Sequence, residues 1–245
     1  MYASRVEPRW LVRFLCTALL AATVSVALPA RQASAAACPA VEVVFARGTA
    51  DVPPDFGAVG VSFLAALRAR ATGRAVGAYP VDYPASANFA DKLAFAQTVV
   101  NGIRDTQTHV EATAANCPGT RIVLGGYSQG AAVAGFATMA GLPAGIPAEF
   151  AKYDSYVPPP MPPAVAQHVA AVILFGKPSD RFMRDVGAPP IVIGPLYAAK
   201  TAEFCVTGDT VCDGDRFPGQ PNALHSLYTV NGMTVAGANY AASHL

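Results

Sequence analysis

The sequence predicts an α/β fold in which a parallel sheet is covered by helices on both faces. Two observations carry this. Short β-branched runs alternate along the chain with longer helix-compatible stretches, and one junction, Gly126-Tyr127-Ser128-Gln129-Gly130, has the form of a tight strand-to-helix turn. The strands expected in order are residues 41–45, 77–79, 122–124, 169–175 and 202–206, each too short for a helix and each ending near Gly or Pro. Helical patterns occupy residues 59–70, 88–115, 131–140 and 226–242. The proline-rich stretch 143–163 cannot be one long helix and reads as a rigid surface connection, or as a wall of a substrate cleft. In parallel sheets of this kind the reacting groups collect at the carboxyl ends of the strands.

Residues 1–37 read as a secretory signal. Arg5, Arg9 and Arg13 supply positive charge, residues 14–28 are apolar, and Ala33-Ser34-Ala35 or Ala35-Ala36-Ala37 offers small-residue cleavage sites. The apolar run falls short of the roughly twenty residues that span a bilayer. Lipid modification of Cys38 is the weaker alternative, because Ala35 stands where such signals carry a larger aliphatic residue. Cleavage would remove Cys16 and leave Cys38, Cys117, Cys205 and Cys212, an even number suited to two disulfides in an exported chain. Three pairings are open, and the short loop between Cys205 and Cys212 favours that pair, leaving Cys38 with Cys117. The remainder, residues 38–245, is long enough for one domain with a good-sized core.

Charged residues are 13% of the chain and nearly cancel, for a net charge of +1, so no basic face for nucleic acid is expected. The low charge and high Ala content fit a monomeric exported protein with an apolar surface, suited to peripheral contact with lipid or a cell envelope. Cysteine spacings do not match zinc patterns and the histidines are scattered. Neither a metal nor a cofactor is expected.

The Gly-x-Ser-x-Gly junction makes Ser128 the candidate nucleophile. A sharp turn holds the serine in a strained conformation, and the flanking glycines let other backbone approach without a Cβ clash. The backbone N–H of Gln129 then points with the hydroxyl, ready to donate to an oxyanion. The expected chain order is serine, acid, histidine. His109 precedes Ser128 inside a helical pattern and reads as a solvated helix residue. His168 should sit at the far end of the sheet, and His244 is the penultimate residue and reads as frayed. His225, in a loop after the last strand, remains as the general base. Asp209 lies just beyond the fifth strand, inside the proposed small disulfide loop, which would fix a carboxylate against the imidazole. Asp213 and Asp215 are alternatives outside that loop. A second oxyanion donor should follow the first strand, where Arg47-Gly48-Thr49 offers Thr49.

Four separated motifs, Arg47-Gly48-Thr49, Gly125-Gly126-Tyr127-Ser128-Gln129-Gly130-Ala131, Cys205-x-x-Gly208-Asp209-x-x-Cys212 and the following His225, resemble the cutinase family of serine esterases, especially its exported actinobacterial members. The resemblance implies a small lidless α/β-hydrolase, a three-layer α/β/α fold with a five-stranded parallel sheet. It also implies a Ser128–His225–Asp209 triad, an oxyanion hole at Thr49 and Gln129, and the disulfides Cys38–Cys117 and Cys205–Cys212. The implied substrate is a small-molecule or lipid ester. The segment before His225 departs from the fungal pattern: residues 213–221 carry three charges and one Phe, where fungal cutinases place aliphatic residues. The expected activity is hydrolysis of short- to medium-chain fatty esters. The alternatives are a phospholipase A, an acyltransferase acting on envelope lipids, and a non-catalytic surface protein that keeps the hydrolase fold.

Overall fold

In the computed structural model, residues 38–141, 156–213 and 221–245 are described. The leader expected at residues 1–37, Asp215, and most of the proline-rich and pre-histidine segments lie outside them. The strands β1 (Val41–Ala46), β2 (Val76–Pro80), β3 (Arg121–Tyr127), β4 (Val169–Phe175) and β5 (Thr201–Phe204) form one parallel sheet in the order β2-β1-β3-β4-β5. All five expected strands are present. β3 is longer than the sequence suggested because Gly125 and Gly126, poor strand formers, are carried in the ladder opposite Phe45 and Ala46.

The inner strands β1, β3 and β4 are almost wholly buried, whereas the edge strands β2 and β5 are only partly so. Near-continuous apolar runs are what a sheet covered on both faces requires. Alternate residues divide between the two faces. Val41, Val43, Phe45, Val123, Ile173 and Phe175 pack with α1 (Gly57–Arg68) and α6 (Met233–Ala242). On the other side Val44, Ile122, Leu124 and Leu174 pack with α2 (Lys92–Asn116) and α3 (Gln129–Ala137). Two short helices escaped the sequence reading, α4 (Asp180–Val186) and α5 (Pro195–Ala198), since neither is long enough to show a helical period. Their ends are nonetheless marked: the Phe182 amide donates to Ser179 Oγ at 3.2 Å, Gly187 closes α4 in the left-handed region, and Pro195 opens α5.

The single helix expected over residues 226–242 is corrected. A 3-10 turn, Ala223–Thr229, is followed by a break, and α6 starts at Met233. The cause is Gly232, whose φ of 84° takes the chain out of the helical region.

The disulfides pair Cys38 with Cys117 and Cys205 with Cys212, with Cα separations of 5.5 and 5.7 Å. They close loops of very different length, with sequence separations of 79 and 7. Chain entropy assigns about 4.5 kcal/mol to the long one and about 2.5 kcal/mol to the short one.

Strand order reverses between β1, whose chain continues to β2 on one side, and β3, which lies on its other side. The crevice at the carboxyl ends of those two strands is where an open α/β sheet binds its ligand. The Arg47-Gly48-Thr49 segment leaves β1 there and the serine turn leaves β3.

Candidate active site

Ser128 bridges β3 and α3 with φ 54° and ψ −119°, a conformation that non-glycine residues rarely adopt. Its own backbone anchors it: the Ser128 amide donates to Phe175 O at 2.9 Å, and Ser128 O accepts from the Ala131 and Ala132 amides. The flanking glycines have a measurable purpose. A Cβ on Gly126 would stand 2.1 Å from Gly130 O, and one on Gly130 would stand 1.9 Å from Ala46 O and 2.4 Å from Arg47 O. Contacts that short do not occur between real atoms. Glycine at position 130 is therefore what lets the end of β1, at Ala46 and Arg47, lie against the serine turn.

Thr49 occupies the first corner of a turn that the Asp51 amide closes onto Gly48 O at 3.2 Å, with Ala50 at φ 48°. The Ala50 amide donates to Ala85 O at 2.9 Å, fastening this turn to the loop after β2. Gln129 is the first residue of α3, and its side chain is buried beside the same loop, Nε2 lying 3.5 Å from Ser86 O. The Thr49 turn and the Gln129 side chain are thus both tied to the loop after β2, through Ala85 O and Ser86 O.

His225 sits on the 3-10 turn, 97 residues beyond the serine, yet its Nε2 is 2.8 Å from Ser128 Oγ. Its Nδ1 is 2.8 Å from Asp209 Oδ2. A carboxylate only accepts, so Nδ1 carries the proton and Nε2 is left to accept from the serine hydroxyl. Asp209 is fully buried in the turn after β5, where its amide donates to Val206 O at 2.9 Å. Burial pushes its carboxyl up. The hydrogen bonds from His225 and Tyr228, the imidazole charge and the Val211 amide outweigh that, so the group is held below the ordinary carboxylate range. Asp213 ties the loop closed, accepting from the Gly208 amide at 2.6 Å.

The other histidines lie elsewhere. His109 is not a solvated helix residue: its Nε2 is 3.0 Å from Glu42 Oε2 and its ring stacks on Tyr79 at 3.4 Å. Glu42 is a partly buried strand residue, and burial raises its carboxyl less than the bonds from His109 and Thr113 lower it. His168 is at the amino end of β4, where its carbonyl accepts from the Ile122 amide, away from Ser128 as expected. His244 is held rather than frayed, Nδ1 lying 2.8 Å from Tyr240 O.

Two tyrosines at the site went unnoticed in the sequence. Tyr127 donates its hydroxyl to His225 O at 2.5 Å and its ring lies 5.1 Å from the imidazole. Tyr228 donates to Asp209 Oδ2 at 2.6 Å. The available signals were their places, one inside the serine motif and one three residues after the histidine. Among the described residues no cluster of His, Cys, Asp or Glu could hold a metal ion.

The family model for cutinase matches residues 37–245 of the chain. A Mycobacterium tuberculosis protein named "Probable carboxylesterase Culp7" is 52% identical over 172 residues, covering 70% of this chain and 86% of that protein. Another from the same organism, "Phospholipase Culp4", is 38% identical over 238 residues, 97% of this chain and 92% of its own length. Among solved structures, Trichoderma reesei cutinase bound to a phosphonate inhibitor superposes with a TM-score of 0.57 at 27% identity, covering 83% of this chain and 75% of that one.

Proposed function

Because the chain belongs to the cutinase family, an assignment that makes it an ester-hydrolysing enzyme, we propose that it is a secreted carboxylesterase working through an acyl-enzyme on Ser128. The observation that carries this reading is the unbroken relay from Ser128 Oγ through His225 to a buried Asp209, both links at 2.8 Å. In the mechanism, His225 Nε2 takes the serine proton as Oγ attacks the ester carbonyl. The Thr49 and Gln129 amides receive the oxyanion. His225 then protonates the departing alcohol, and water repeats the sequence to free the acid and restore the serine. Asp209 keeps the imidazole in the required tautomer and stabilises it when charged.

Fatty esters of short to medium chain length suit this site. Val52 and Phe89, on the loops after β1 and β2 that flank the oxyanion donors, stand largely exposed and give an apolar substrate, or the lipid surface holding it, something to touch. The similarity to a protein named as a phospholipase favours one second reading, hydrolysis of a glycerophospholipid acyl ester by the same residues. Secretion is supported by the leader-like residues 1–37 and by two disulfides, which suit an oxidising compartment. Among the described residues no helix is long and apolar enough to cross a membrane. The chain acts as a monomer in this reading.

The test is hydrolysis of p-nitrophenyl esters of increasing acyl length, and of phosphatidylcholine, by protein folded under oxidising conditions, with Ser128→Ala in parallel. Turnover of the nitrophenyl esters that disappears in the variant is expected. Preference for phosphatidylcholine would select the phospholipase, and turnover unchanged in Ser128→Ala would overturn the mechanism.

A further inference from the structure

A hydroxyl in an otherwise apolar core needs a reason, and the largest fully buried side chain among the described residues has one. Tyr228 is wholly inaccessible, its ring packed edge-on to Phe175 and His225 and tilted against Tyr127. Phenylalanine would fill that space as well. The phenolic oxygen instead meets three partners at the acid end of the site: it donates to Asp209 Oδ2 at 2.6 Å, faces the Val206 amide at 3.3 Å, and lies 3.2 Å from Cys212 Sγ of the small disulfide.

We propose that Tyr228 is a positioning residue for ester hydrolysis, holding the Asp209 carboxylate in the one orientation that aligns His225 with Ser128. The proposal rests on the esterase reading above. Oδ2 receives both the His225 Nδ1–H and the Tyr228 O–H, while Oδ1 receives the Val211 amide at 2.9 Å. An ionised carboxylate oxygen has two lone pairs, so both of those on Oδ2 are engaged and the group cannot turn without losing a charge-assisted bond.

The local fold explains how one turn delivers both donors. In a 3-10 helix residues i and i+3 stand on the same side, one above the other. His225 and Tyr228 are so related on the turn Ala223–Thr229 and both face Asp209, whereas an α-helical turn would rotate the second away by a large part of a side-chain width. Gly176 leaves room for the pair: its φ is 56°, and a Cβ there would stand 2.9 Å from His225 Cε1 and 3.1 Å from the Tyr228 hydroxyl. Burial, with the neighbouring Asp209 bond and charge, drives the phenol well above its ordinary range. It therefore remains a proton donor wherever the enzyme works.

The same contact has a second consequence. A donor on Asp209 Oδ2 draws negative charge away from the imidazole, so removing the hydroxyl should make the coupled Asp209–His225 pair easier to protonate. Positioning and basicity then move in opposite directions, which a packing role cannot imitate.

The experiment compares the wild type with Tyr228→Phe in kcat, in KM and in the acid limb of the pH–rate profile. A drop in kcat of about tenfold with KM within about twofold is expected. The acid limb should move to higher pH. The low-field proton resonance of His225 Nδ1–H should move further downfield as the imidazole becomes the only side-chain donor on Oδ2. If loss of the hydroxyl prevents folding, 3-fluorotyrosine introduced at position 228 keeps the ring and strengthens the donor, and the acid limb should then move to lower pH. A folded Tyr228→Phe protein with wild-type kcat, acid limb and proton resonance would reduce Tyr228 to packing and overturn the proposal while leaving the esterase intact. A wild type without Ser128-dependent turnover would overturn the esterase reading instead, and the proposal with it.

Discussion

Around Ser128 geometry is kept by the absence of side chains, and around Asp209 by their presence. The serine turn is backbone against backbone: Gly126 and Gly130 let carbonyls approach where no Cβ fits, and a strained serine is locked between them. Across the cleft the carboxylate and imidazole are fixed by a disulfide, a phenol, a backbone amide and a 3-10 turn. One half is rigid because nothing can be added to it. The other is a network whose members can be removed singly. Substitutions that add atoms should therefore be severe on the serine side, and those that remove polar atoms should produce graded kinetic losses on the acid side.

The largest expected break on the acid side is Asp209→Asn. An amide can present the wrong partner to His225 Nδ1 and favour the unproductive tautomer, so kcat should fall by about 10³- to 10⁴-fold in a protein that still melts cooperatively, at a somewhat lower temperature. Steady-state kinetics beside a thermal melt would check it. On the serine side, Gly130→Ala forces a Cβ to within 1.9 Å of Ala46 O. The cost should reach about 3 kcal/mol in stability, read from denaturant unfolding, with loss of turnover because the Thr49 turn is displaced. That result, opposite in kind to Asp209→Asn, would sharpen the contrast between the two halves.

Replacing both Cys205 and Cys212 with Ser should cost about 2.5 kcal/mol or less. It should lower kcat more than reduction of the remote Cys38–Cys117 bond in a matched variant, although the longer loop is worth more in chain entropy. Kinetics of the two variants at a temperature where both are folded would check the ordering.

Acid provides a milder test. The folded Asp209 carboxyl lies below its unfolded value, so the stability it contributes is fully present above the unfolded pKa of about 3.9 and is lost as pH falls through the lowered folded value. The wild-type advantage over Asp209→Asn in denaturant midpoint should accordingly shrink below about pH 4. The smallest effect should come from Tyr127→Phe. It removes a bond to the His225 carbonyl, not to the imidazole, and should change kcat only about threefold.

The same contrast explains what could be read from the sequence. The serine half was legible because its causes are local: a β-branched strand, two glycines at fixed spacing and a helix that follows at once. Asp209 and His225 could be located only by chain order, the short cysteine loop and the family resemblance, since their distance from Ser128 is set by the strand order. Tyr228 was missed because a tyrosine in an apolar segment looks like core until the 3-10 turn places it beside the carboxylate. His109 looked solvated because the strand residue that pairs with it, Glu42, lies 67 positions away. The helix expected over 226–242 failed at Gly232, where conformational freedom outweighed a continuous helical pattern.

The central claim is that Ser128 is the nucleophile activated by His225, and covalent trapping tests it most directly. Protein is incubated with an alkyl phosphonate ester, weighed intact and mapped by peptide mass spectrometry. The account predicts a single adduct per chain on Ser128, absent from Ser128→Ala and formed at least about 10³-fold more slowly by His225→Ala. An adduct on another residue, or full ester turnover by Ser128→Ala, would contradict it.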